Sequence, residues 1–249
     1  MKISVAVITR NAAADLERCL RSVAFADEIV VLDQDSTDGT DEVCSHAGAT
    51  VHQTEWLGFG PTKQKAVSLC RNRWVLSLDS DEEVSAELQA AITALPEDTS
   101  MAAFAVNRLS SFLGVWIHHC GWHPEYIVRL FDTQRAQFND KVVHEAVETE
   151  GRIKRLPGLV FHYTYATFEA YVQKMNLYST LWAKEAAGRG RRVSLAGAVV
   201  RSNFTFWRMW LWQGGFLDRW PGTVLCLVSG FYTLGKYTKL RQLNREEDS

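Results

Sequence analysis

Two carboxylates one residue apart, Asp79 and Asp81, close an apolar run, Trp74-Val-Leu-Ser-Leu78, and Glu82 and Glu83 follow them. Acids at that spacing can share a hard divalent cation through oxygen, and such a cation commonly also holds the phosphates of a nucleotide. A buried strand carrying Val75, Leu76 and Leu78 would deliver the pair to its carboxyl end, where α/β sheets open a crevice to ligands. On residue types alone, the same stretch also reads as a strand entering an acidic turn before a helix that begins at Ser85.

The elements that would position these acids alternate in the manner of β-α-β units around a largely parallel sheet. Ile3 to Ile8 reads as a first strand, and Asn11 is placed to cap a helix whose apolar positions Leu16, Cys19, Leu20 and Val23 share one face. Ile29 to Leu32 reads as a second strand ending at Asp33, and Asp33-Gln-Asp35-Ser36-Thr-Asp38-Gly39-Thr40 as a polar turn. Val51 lies on a third strand, Gly58-Phe-Gly60-Pro61 marks a turn, and Thr62 to Cys70 reads as helix, so the acidic motif closes the fourth strand.

At 249 residues and 47% hydrophobic, the chain can bury a substantial core. A net charge of -2 argues against a nucleic-acid partner, which would call for a basic excess. The five cysteines are scattered without Cys-x-x-Cys spacing, which fits a reducing compartment. The apolar start is too short for a signal peptide's core, so a cytoplasmic protein is expected.

The segments Val5-Ala-Val-Ile-Thr9-Arg10-Asn11, Val30-Val-Leu-Asp33-x-x-Ser36-x-Asp38-Gly39-Thr40 and Leu78-Asp79-Ser-Asp81-Glu82, in that order, resemble the family-2 glycosyltransferases of the GT-A fold. With Val142-Val-His144-Glu145 and Phe216-Leu-Asp218, the chain more closely resembles bacterial β-glucosyltransferases that extend the inner core of lipopolysaccharide. The resemblance implies an α/β fold of the GT-A type, a mostly parallel central sheet with helices on both faces, and a nucleotide-sugar donor such as UDP-glucose. It also implies that Asp33, Thr9 and Asn11 line the uracil pocket, that Asp79 meets ribose or metal, and that Lys63 and Gln64 lie near base and pyrophosphate. Asp81, with His162 completing the shell, would hold a divalent cation, Mg or Mn.

An inverting transfer also needs a carboxylate to deprotonate the acceptor hydroxyl. Many family members place an Asp in a late Glu-Asp pair, and here the chain departs from the pattern. Glu97-Asp98 comes too soon and Glu247-Asp248 sits in a polar tail, leaving Glu145 in Val142-Val-His144-Glu145-Ala-Val147 as the expected base. His118-His-Cys-Gly-Trp122-His123-Pro-Glu125 imitates a zinc cluster but matches no zinc spacing. It reads as an acceptor-side loop, with Trp122 a sugar platform or a packing residue and Arg129 a phosphate contact or a solvated charge.

The expected division is a catalytic domain over residues 1–166 and a helical, aromatic-rich extension over 167–249. Phe168, Tyr171, Val172, Met175, Tyr178, Leu181 and Trp182 recur at helical spacing and predict an amphipathic helix packing on the catalytic domain. Beyond Arg192, tryptophans and phenylalanines interleave with Arg201, Arg208 and Arg219, a mixture suited to a membrane interface or to packing inside a helical subdomain or dimer. The apolar stretch from Thr223 to Leu234 is too short to span. Peripheral attachment is therefore favoured over spanning, and the resemblance implies the inner face of the inner membrane and a lipopolysaccharide core sugar as acceptor. Two other readings stay open, a polyprenyl-phosphate sugar or other polysaccharide glycosyltransferase and a non-catalytic sugar-nucleotide-binding membrane adaptor.

Overall fold

The computed structural model describes residues 1–139 and 145–247, so His144 lies outside the described residues. The chain divides into two compact units, residues 1–109 with 125–163, and residues 110–124 with those from 164 onward.

The first unit begins as the residue pattern predicts. Strand β1 (Ile3–Thr9), helix α1 (Ala13–Ser22), β2 (Glu28–Asp33), α2 (Thr40–His46), β3 (Thr50–Gln53), α3 (Phe59–Ser68) and β4 (Trp74–Asp79) follow one another. The strands lie in the order β3-β2-β1-β4, with β1 parallel to both β2 and β4, and β2 parallel to β3. Period-two alternation sorts the side chains of β1. Val5 and Val7 join Leu16 and Leu20 of α1 in one core, while Ala6 and Ile8 meet Ala66 and Val67 of α3 in another, so helices cover both faces. The predicted turn at residues 58–61 is shorter than expected. Gly58 takes φ 96° and α3 starts at Phe59, with Pro61 in its first turn, where the missing N–H costs nothing.

Beyond β4 the pairing changes sense. Strand β5 (Glu82–Val84), helix α4 (Ala86–Thr93) capped by the Ser85 hydroxyl, and β6 (Ala103–Phe112) lead into the second unit, where β6 pairs with β7 (Val115–Trp116). The chain returns to the first unit through β8 (Glu125–Asp132), β9 (Ala136–Phe138), β10 (Val147–Thr149) and β11 (Ile153–His162). Strand β8 runs antiparallel to β4 and β6, and β11 antiparallel to β5. The parallel character expected of the central sheet therefore belongs to β3-β2-β1-β4. Parallel pairing needs a long crossover, and among the described residues no helix separates the strands from β8 to β11.

The second unit is helical after residue 164. Helix α5 (Phe168–Gly188) is followed by α6 (Leu195–Trp207), a π turn over Arg208–Trp212, a 3-10 turn over Gly215–Asp218, and α7 (Arg219–Glu247). Tyr171 of α5 packs with Phe112, Met209 and Leu225, and the Ser202 hydroxyl of α6 donates to the Gly230 carbonyl of α7. Among the described residues, no helix is long and apolar enough to cross a membrane.

Candidate active site

The parallel strands bring their carboxyl ends to one edge. Thr9 pairs with Asp33 across β1 and β2, and Ile8 pairs with Asp79 across β1 and β4, so three of the predicted residues share that rim. The loops above it are tied together by side chains. Asp33 accepts the Ser36 N–H at 3.0 Å and the Ser36 hydroxyl, an Asx turn closing β2.

Asn11 adopts φ 47°, its N–H donates to Ser36 Oγ at 2.8 Å, and its side-chain carbonyl accepts the Thr37 N–H at 2.8 Å. Asn11 therefore does not cap α1 as the sequence suggested. The Asp38 carboxylate takes the Ala13 N–H at 3.0 Å instead, and that bond, with the Thr40 hydroxyl, holds its carboxyl below the usual range. Thr9 Oγ1 is buried and meets no hydrogen-bonding partner among the described residues.

Asp79 is gripped from both sides. Lys63 Nζ lies 2.7 Å from its Oδ1 and Arg129 Nη2 lies 2.9 Å from its Oδ2. Burial alone would raise this carboxyl, but the Lys63 and Arg129 charges outweigh it and hold the group well below the carboxylate range. Beneath it, Glu82 is 0% exposed, takes Arg129 Nη2 at 2.6 Å on Oε1, and accepts the Asp79 N–H at 3.1 Å on Oε2. Arg108 reaches the same Glu82 oxygen at 3.5 Å and forks onto Glu125 at 2.9 and 3.1 Å. Desolvation would lower the Arg129 guanidinium, yet Glu82 and Asp79 reverse it and fix the positive charge.

Arg129 thus corrects both readings made from the sequence. It is neither solvated nor turned to a free phosphate, because it is buried beneath the acidic motif and paired twice. Trp122 packs with Phe112 and Tyr165, which favours its packing role. Glu82 and Arg108 were missed, although two signals point to Glu82. An arginine inside the apolar strand Glu125–Asp132 needs a buried acid, and alternation puts Glu82 on the same face as buried Val84.

Asp81 stands apart from this network. The β5–β11 pairing sets His162 beside Glu82, the Tyr163 N–H donates to the Asp81 carbonyl at 2.9 Å, and His162 Nε2 lies 3.3 Å from Asp81 Oδ2. Among the described residues, no group of three His, Cys, Asp or Glu side chains is arranged to hold a metal by itself.

Lys63, 1% exposed, joins the motif to the predicted base. The nitrogen that meets Asp79 also lies 2.8 Å from Glu145 Oε1. Gln64, the next residue, is turned elsewhere. Its side-chain carbonyl accepts the Phe138 N–H at 2.8 Å and fastens β9 to α3. The rim therefore gathers Thr9, Asp33 and Asp79, with Lys63 and Glu145 linked to Asp79 and the Asp81–His162 pair on the following turn.

The model of the Glycosyl transferase family 2 matches residues 4–149, which contain every predicted site residue except His162. The chain belongs to this family. An uncharacterized glycosyltransferase of Rickettsia prowazekii is 31% identical over 98% of this chain and 88% of its own length. The lipopolysaccharide core biosynthesis glycosyltransferase LpsC of Rhizobium meliloti is 25% identical over 92% of this chain and 90% of its own. Among solved structures, the mannosyltransferase PcManGT of Pyrobaculum calidifontis, in complex with GDP-Man and Mn2+, has a TM-score of 0.56. It is 14% identical, covers 96% of this chain and 86% of its own, and shows the shared fold. This glycosyltransferase thus has the GT-A architecture expected of it, extended by C-terminal helices.

Proposed function

We propose that the chain transfers glucose from UDP-glucose, with inversion, to a core sugar of lipopolysaccharide at the inner face of the inner membrane. The observation that carries this reading is the shared lysine. Lys63 Nζ lies within 2.8 Å of both Asp79 and Glu145, so the donor-binding acid and a candidate base belong to one charge network. The similarity to LpsC supports the acceptor class.

In this reading Thr9, Asn11 and Asp33 receive the uracil, and the unpartnered Thr9 hydroxyl suits a polar ligand atom. Lys63 and the fixed Asp79 border the ribose and diphosphate, whereas Gln64 supports the wall through Phe138. Asp81 and His162 fit a divalent cation, Mn or Mg, since a carboxylate and an imidazole leave the remaining positions to phosphate and water. A cation held by them would supply Lewis-acid stabilisation of the charge on the departing diphosphate. Glu145 removes the proton from the acceptor hydroxyl as that oxygen attacks the anomeric carbon, and Lys63 orients the carboxylate for it. Catalysis resides in the segment up to residue 166, and residues 167–249 meet the membrane.

A transfer assay with UDP-[14C]glucose and lipopolysaccharide lacking its outer core tests the reading. Wild type should label the acceptor, and Glu145→Gln should not, while retaining UDP binding. An active Glu145→Gln enzyme would remove the base assignment.

A further inference from the structure

The helical unit leaves an apolar stripe without a protein partner in the described chain. Helix α6 turns Ala198, Ser202 and Thr205 toward the interior of the unit, where the latter two meet Gly230 and Thr233 of α7. Its opposite face carries Val200, Phe204 and Trp207 and runs on to Leu211, a spacing of four, three and four. Helix α7 does the same with Trp220, Leu227 and Phe231. Trp212, at the junction, is 70% exposed, and Trp220 is 64% exposed. Large side chains so aligned are not the scattered apolar residues of an ordinary surface.

The charge around the stripe names the occupant. Residues 186–245 hold ten Arg and Lys and one acid, Asp218, although the whole chain is at -2. That acid is turned inward, accepting the N–H groups of His118 and His119 and the His119 ring at 2.8 Å. Exposed Arg208 and Arg219 flank the tryptophans at the helix junction. A second copy of the chain would bring the same positive charge against itself, whereas a bilayer with anionic headgroups pairs with arginine and accepts indole at its interface.

We propose that α6, the π turn and the first half of α7 lie in the interface of an anionic bilayer as an in-plane hairpin, with Phe204, Trp207, Trp212, Trp220 and Phe231 inserted. The surface deepens the membrane partner of the function above by naming its lipid charge and its anchors. It stands independently of the donor and acceptor.

Co-sedimentation of the full chain with vesicles tests it. Phosphatidylcholine vesicles containing phosphatidylglycerol should bind the protein, with a blue shift in tryptophan emission, and pure phosphatidylcholine should bind it more weakly. Trp212→Ser with Trp220→Ser should lower the affinity on the order of tenfold per tryptophan. Arg208→Glu with Arg219→Glu should lose on the order of fivefold per arginine on anionic vesicles and little on neutral ones. Both pairs are exposed, so UDP binding and thermal unfolding should stay at wild-type values. Equal binding to both vesicle types, no binding to either, or lipid-free dimers that bury the tryptophans would overturn the proposal. UDP binding measured on the same samples separates that failure from failure of the donor site.

Discussion

Lys63 Nζ stands 2.8 Å from Glu145 Oε1 while also touching Asp79 at 2.7 Å, so one buried ammonium ties the end of β4 to the residue after the 140–144 segment. Two carboxylates brought to one point would repel each other; the lysine makes their proximity favourable. The consequence is a direct test. Lys63→Met should leave Asp79 with Arg129 alone and Glu145 without its partner, lowering transfer about 100-fold. Chemical denaturation should show a loss of about 3 kcal/mol. A near-normal rate would mean that the bridge does not order the site.

Glu82 is the deeper support. It has no exposed surface and holds Arg129, which in turn holds Asp79. Glu82→Ala should cost about 3 kcal/mol in urea unfolding, because the Arg129 charge loses its closest partner inside the protein. Glu82→Gln keeps the shape and an acceptor and should cost less. Similar losses for both would show that charge is not what Glu82 supplies.

Acid should expose a second ion pair, far from the rim. Asp132 accepts two hydrogen bonds from the Arg73 guanidinium, and Arg73 is half in solvent. Burial would raise the Asp132 carboxyl, but Arg73 and the Gln134 N–H prevail and set it below its ordinary value. A lowered folded-state value means that the stabilisation is complete above the unfolded carboxyl's pKa and disappears as pH falls through the folded one. The stability gap between wild type and Asp132→Asn, followed by urea unfolding across pH, should therefore be constant near neutrality and close below about pH 4. A gap that stays open in acid would contradict the pairing.

Gly158 offers a test of the β11–α4 packing. At φ 87° it lies in the left-handed region, and a Cβ there would meet the Leu88 backbone nitrogen at 2.3 Å. Gly158→Ala should destabilise by about 3 kcal/mol through strain and displacement of α4. Melting at the wild-type temperature would show that α4 can shift without cost.

The strands β1 to β4 were legible because their apolar runs are short, bounded by turn residues and separated by helical periodicity. The acidic motif was legible for the same reason, as the abrupt end of such a run. What escaped the sequence was pairing across elements. Lys63 reads locally as a solvated charge on a helix, and only the return of the chain at Glu145 makes it a buried bridge. Arg129 and Glu82 lie 47 residues apart, and neither declares its partner. Asn11 and Gln64 have side chains suited to ligands, yet both satisfy backbone groups, of Thr37 and Phe138. The second unit takes in residues 110–124 because β6 continues past Leu109 into a hairpin with β7, a long-range assignment that no local pattern carries.

The proposed site at the β4 rim takes a uridine diphosphate donor with the help of a divalent cation. Calorimetric titration of UDP into the full chain, with and without Mn, on wild type and Asp81→Ala, tests it most directly. Wild type should bind tightly and in an Mn-dependent way, and the variant should lose that dependence. No UDP binding in either condition, or binding by both proteins that ignores the metal, would contradict it.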